Sequence, residues 1–135
     1  MTRRRAVFDA SVLIRAIVDE SEVARDWLRA VARGELTALV PELIWAEIAN
    51  ALHLYVRSRR MRRAEAQEAL VRLLQLPIES QRLAPLTLVA LELAAKRRLT
   101  AYDAYYVALA DAADAVLVTA DRRLASSVDR AELVS

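Results

Sequence analysis

The sequence predicts an α/β domain in which a parallel sheet is covered on both faces by helices. Two observations carry that expectation. Short apolar runs, Ala6-Val7-Phe8, Ala38-Leu39-Val40 and Ala115-Val116-Leu117-Val118, alternate with longer segments of helical spacing. Acidic residues follow two of these runs, Asp9 at once and Asp121 three residues on. Ligands of parallel sheets bind beyond the carboxyl ends of the strands, so both carboxylates are expected at a binding edge.

Element by element, Ala6 to Phe8 is a buried strand that stops at Asp9, and Ser11 to Val18 is a short helix. Ser21 caps a second helix from about Glu22 to Arg33, with Gly34 suited to its C-terminal turn. After the strand Ala38 to Val40, Pro41 fits the first turn of a long helix running to about Arg60. Leu43, Ile44, Ile48, Leu52 and Tyr55 give that helix its apolar spacing. A helix from Ala64 to Leu74 follows, then Pro77 and a short strand at Ile78-Glu79. Pro85 opens a helix ending near Arg98, and Asp103 to Ala112 forms another with Tyr106, Val107 and Ala110 on one side. Ala115 to Val118 is the clearest strand, Asp121 starts a last short helix, and Leu133-Val134 is a terminal strand.

At 135 residues the chain, 1–135, reads as one domain. A hydrophobic fraction of 56% argues against disorder. Lys96 is the only lysine, so the positive charge is almost all arginine, yet the net charge is only +2. That is a mild lean toward polyanions. Met1-Thr2-Arg3-Arg4-Arg5 resembles the basic end of a signal peptide, but Asp9 and Arg15 break the apolar run behind it. With no apolar stretch near the ~18 residues that span a bilayer, the expectation is a soluble, cytoplasmic protein.

Absent residue types exclude whole chemistries. Gly34 is the sole glycine, so neither a P-loop nor a dinucleotide-binding glycine fingerprint exists here. The chain has no cysteine and one histidine, His53, which removes thiolate sites and paired-histidine catalysis. Chemistry is left to carboxylates, hydroxyls and arginines.

Four carboxylates stand out by their local frames: Asp9 in Val7-Phe8-Asp9-Ala10-Ser11, Glu47 in Trp45-Ala46-Glu47, Asp103 in Tyr102-Asp103-Ala104-Tyr105, and Asp121 in Val118-Thr119-Ala120-Asp121. Like charges gathered in a cleft need an offset, and hard oxygen donors favour Mg2+ or Mn2+. Each residue also has a plain structural role. Asp9 and Asp121 suit helix N-caps, and Thr100 with Asp103 matches a capping box. Glu47 borders the apolar stripe between Leu43 and Ala51, a position that usually demands a partner. Ser11 and Thr119 add hydroxyls that either hold carboxylates or cap helices. Arg122 and Arg123 suit phosphate contacts or a solvated face equally well. Asp111 and Asp114 read as solvated loop residues, Trp45 and Tyr105 as packing residues, and His53 as structural.

The segments V-F-D-A-S, A-E-I-A-N-A-L, Y-D-A-Y-Y-V-A-L-A and L-V-T-A-D-R-R-L resemble, in order, the motifs of PIN-domain ribonucleases, in particular the small VapC-type toxins of bacterial toxin–antitoxin pairs. The resemblance covers essentially the full length and places Asp9, Glu47, Asp103 and Asp121 at the family's acidic positions, with Ser11 and Thr119 at its hydroxyl positions. It implies a PIN-like fold with a parallel sheet of four or five strands between helices, and an acidic site that binds Mg2+ or Mn2+. It further implies RNA hydrolysis, homodimers and inhibition by a cognate antitoxin. The resulting expectation is a magnesium-dependent endoribonuclease acting as a toxin. One alternative is a PIN-domain nuclease of RNA processing without a toxin role. Another is a receiver-like signalling domain, which would need a lysine beside the site, whereas Lys96 falls mid-helix.

Overall fold

The computed structural model describes residues 3–18 and 20–135, so Met1 and Thr2 of the basic N-terminal run lie outside the described residues. Five strands and seven helices follow in the order β1 (Arg4–Phe8), α1 (Ala10–Ile17), α2 (Glu22–Ala32), β2 (Leu36–Pro41), α3 (Leu43–Arg57), α4 (Arg63–Leu74), β3 (Ile78–Gln81), α5 (Ala84–Arg97), α6 (Ala101–Ala113), β4 (Val116–Thr119), α7 (Arg122–Ser126) and β5 (Ala131–Leu133). All strand pairs are parallel, and the sheet order is β3-β2-β1-β4-β5.

The three apolar runs form the centre of the sheet. In register, Ala6 faces Ala38 on one side and Val116 on the other. Val7, Phe8, Val40, Leu117 and Val118 are completely enclosed, as strands covered on both faces must be. Helices α1 to α4 pack among themselves, and α5 packs on α6. The right-handed crossover preference assigns these two groups to opposite faces. Phe8 meets Trp27 of α2 edge to face, with ring centroids 5.8 Å apart. Among the described residues no helix is long and apolar enough to cross a membrane.

Caps mark the helix starts. The Ser21 hydroxyl accepts the Ala24 amide at 3.1 Å, and Thr100 Oγ1 accepts the Asp103 amide at 3.1 Å. Gly34 takes the left-handed turn expected of it, at φ 72°.

Three expectations need correction. Pro41 does not open the long helix. It ends β2, opposite Gln81, and the Glu42 amide still bonds to the Gln81 carbonyl at 2.9 Å. Proline is tolerated at either place, because the end of a strand and the first turn of a helix both dispense with its missing N–H. The long helix stops at Arg57, with Arg59 in the left-handed region at φ 61°. Asp111 belongs to α6 instead of a loop, and its carboxylate lies 3.9 Å from the Arg97 guanidinium.

Candidate active site

β1 has its sequence neighbour β2 on one side and β4 on the other, so the direction of winding reverses between β1 and β4. A crevice forms at such a switch point, beyond the carboxyl ends of the strands. Asp9 leaves β1 there and Thr119 ends β4 there, with Asp121 two residues on.

Asp9 is nearly enclosed, and its amide is tied to the Val118 carbonyl at 3.0 Å. Its Oδ2 accepts hydrogen bonds from Ser11 Oγ at 2.9 Å and from Thr119 Oγ1 at 2.6 Å. Each hydroxyl is itself committed on its other side. Ser11 Oγ accepts the Ala120 amide at 3.0 Å, and Thr119 Oγ1 accepts the Asp121 amide at 3.0 Å. An amide donor fixes each hydroxyl as an acceptor there, so its proton must point to Asp9. Backbone geometry thereby sets the rotamer of one buried carboxylate. Asp9 also caps α1, with Oδ1 3.4 Å from the Ser11 amide.

Asp121 is exposed and caps α7, with Oδ1 accepting the amides of Arg123 at 2.9 Å and Leu124 at 3.3 Å. The capping role expected of Asp121 is thus present. Asp103, on the first turn of α6, is half-buried. Burial holds its carboxyl above the ordinary range, reinforced by the charges of Asp9 and Asp121 and opposed by Thr100 and Arg123. Glu47, on α3, is half-buried and likewise raised by burial, with Asp9 and Asp103 adding to the effect. Tyr106 opposes it by donating its phenol to Glu47 Oε1 at 2.5 Å. Burial, with Glu47 next, pushes the Tyr106 hydroxyl far above its usual range, so it remains a donor.

The structure thus brings all four acids into electrostatic contact through one another: Glu47 with Asp9 and Asp103, and Asp103 with Asp9 and Asp121. Among the described residues none of them forms an ion pair with a lysine or arginine. Their oxygen-only donor chemistry and unbalanced charge suit a hard divalent cation. Among the described residues no three such side chains are already gathered into a metal-holding group.

Ser11 and Thr119 both hold the Asp9 carboxylate through their hydroxyls. Arg123 lies beside it, near enough to lower Asp103, while its guanidinium donates to the Arg98 carbonyl at 2.9 Å. Arg122 is exposed on α7. Lys96 sits on α5, 72% exposed and 3.9 Å from Glu92, which places no lysine of the receiver kind at the acids. Trp45 and Tyr105 pack against the core and donate to or share hydrogens with Ser80 and Thr87, both at 2.8 Å. His53 is exposed beside the α3–α4 hollow. Sequence reasoning placed Tyr106 on one side of its helix with Val107 and Ala110 and missed its bond to Glu47. The clue was available: Tyr106 shares a helix face with Asp103 three residues before it, and half-buried Glu47 lacked a partner.

These features define an α/β protein with an acidic site at the switch point of a five-stranded parallel sheet. The chain belongs to the PIN-domain family, whose model matches residues 6–130. It is 33% identical over 121 residues to ribonuclease VapC9 of Mycobacterium tuberculosis, covering 90% of this chain and 89% of that protein. The crystal structure of PAE2754 from Pyrobaculum aerophilum shares the fold at a TM-score of 0.76 and 30% identity, covering 95% of this chain and 82% of that one. VapBC2 from Rickettsia felis, solved bound to a DNA fragment from its promoter, superposes at 0.74 with 17% identity, covering 97% and 99%.

Proposed function

We propose that this chain is a metal-dependent endoribonuclease acting as the toxin of a toxin–antitoxin pair in the cytoplasm. The observation that carries the reading is the electrostatic influence of Asp9 and Asp121 on Asp103, and of Asp9 and Asp103 on Glu47, in a PIN-family chain similar to a VapC ribonuclease. Asp9, Glu47, Asp103 and Asp121 would hold Mg2+, with Mn2+ as a substitute. When bound, the ion supplies activation of water and charge neutralisation at the scissile phosphate. The chain's own contribution is orientation. Ser11 and Thr119 lock Asp9, and Tyr106 engages Glu47. Arg122 and Arg123, on the helix that Asp121 caps, would contact phosphates of the RNA backbone.

Two surfaces suit the partners of such a toxin. α3, which carries Glu47, forms with α4 a hollow of about 280 Å3 lined by Leu52, Val56, Ala66 and Leu70. An antitoxin segment would seat an apolar anchor there and direct an arginine to the acids, competing with the metal. On α5, Leu88 and Leu91 are 81% and 66% exposed, which suits a homodimer.

Purified protein incubated with total cellular RNA should cut it with Mg2+ or Mn2+ and not in EDTA. Full cleavage in a chelated preparation would remove the metal from the reading. Expression alone should arrest growth, and co-expression of a small neighbouring gene should restore it. Harmless expression of soluble, active protein would favour a nuclease of RNA processing instead.

A further inference from the structure

We propose that Tyr106 is a positioning residue for the acidic site, holding Glu47 by one carboxylate oxygen so that the other is presented to a divalent cation. The inference rests on the metal-dependent reading above.

Glu47 is poorly placed to hold itself in the cluster. Its side chain has three rotatable bonds and lies at the half-buried margin of α3. The charges of Asp9 and Asp103 act against it when no cation is present, so the path of least resistance is outward, to water. Tyr106 closes that path. The residue is fully enclosed, and its phenol donates to Glu47 Oε1 at 2.5 Å. A phenylalanine would fill the same volume, so packing does not account for the hydroxyl. Asp103 lies three residues before Tyr106 on α6. One helix face therefore supplies a candidate ligand and the group that orients another ligand from α3. Partners that orient a metal's ligands in this way tune affinity without touching the ion.

Mn2+ binding by the purified full chain, followed through the electron paramagnetic resonance of free Mn2+, tests the assignment without RNA. Tyr106→Phe should remain folded by circular dichroism and bind Mn2+ roughly 10-fold or more weakly. In a Glu47→Gln background the same change should cost nothing further, because its effect runs through Glu47. Tyr106→Met, which also lacks the hydroxyl but repacks more freely, should repeat the pattern. Unchanged affinity in both hydroxyl-free variants overturns the proposal. So does an equal loss in the two backgrounds, which a general packing defect would give. If the unsubstituted protein itself binds no Mn2+, the metal reading falls, and this inference with it.

Discussion

At Asp121 one carboxylate both caps α7 and adds its charge to Asp103, and two substitutions separate those roles. Asparagine caps about as well as aspartate, whereas alanine forfeits about 1 kcal/mol. Asp121→Asn should therefore melt like the parent and Asp121→Ala several degrees lower, with RNA cleavage strongly reduced in both. Cleavage retained in the asparagine variant would reduce Asp121 to a cap. Asp103 allows a second test, through pH. Its folded carboxyl is raised above the unfolded value, so the native state holds the proton more tightly than the unfolded chain does. The stability this gives is present below the unfolded value and is lost as pH rises through the folded one. Thermal melts without metal should thus show Asp103→Asn gaining on the parent as pH rises from the acid side of the carboxylate range toward neutrality. Adding Mn2+ at neutral pH should stabilise the parent more than the variant. A difference that stays flat with pH would mean that Asp103 titrates as an ordinary surface acid.

Where β4 ends, Thr119 links two elements through one hydroxyl, donating to Asp9 after β1 and accepting the Asp121 amide before α7. The side chain is completely buried, so Thr119→Val keeps the shape but leaves an enclosed carboxylate and an amide without that partner. Each such loss costs about 1–3 kcal/mol, and Thr119→Ser should recover most of it. Denaturant melts of the two variants read this directly. Equal stability of valine and serine at this position would show that the hydroxyl contributes nothing. The same elements show what a sequence discloses. β1, β2 and β4 were legible because strands enclosed on both faces must be apolar throughout. The helix start at Ser21 and the turn at Gly34 were legible because their signals lie within a few residues. The edge strands β3 and β5 are only partly buried, so their sequences carry little pattern. Pro41 misled because its backbone suits two neighbouring roles, and only pairing with Gln81, distant in sequence, decides between them. The Tyr106–Glu47 bond joins residues 59 apart, so local spacing marked each residue but only the fold pairs them.

The whole molecule leaves an apolar surface that its own core does not use. Along α5, Leu88, Val89 and Leu91 are 81%, 48% and 66% exposed, while Ala90 and Leu93 on the same helix are buried. The buried side chains hold α5 to α6, the helix that carries Asp103 and Tyr106. The exposed ones therefore lie one helix away from the site, and a second copy docked there would brace α6 without needing to supply a catalytic group. Burying a leucine stabilises by roughly 1.5–3 kcal/mol, and a two-fold interface counts each residue twice. A charge at its centre should be correspondingly costly, since it would be buried beside its own copy. Leu88→Glu should convert the protein from dimer to monomer in sedimentation equilibrium at micromolar concentration, with its far-ultraviolet circular dichroism unchanged. Because Asp9, Glu47, Asp103 and Asp121 all come from one chain, the monomer should retain metal-dependent cleavage, weakened only as far as α6 loses its support. A Leu88→Glu protein that still sediments as a dimer would move the interface off α5, and a parent that is monomeric throughout would exclude the homodimer altogether.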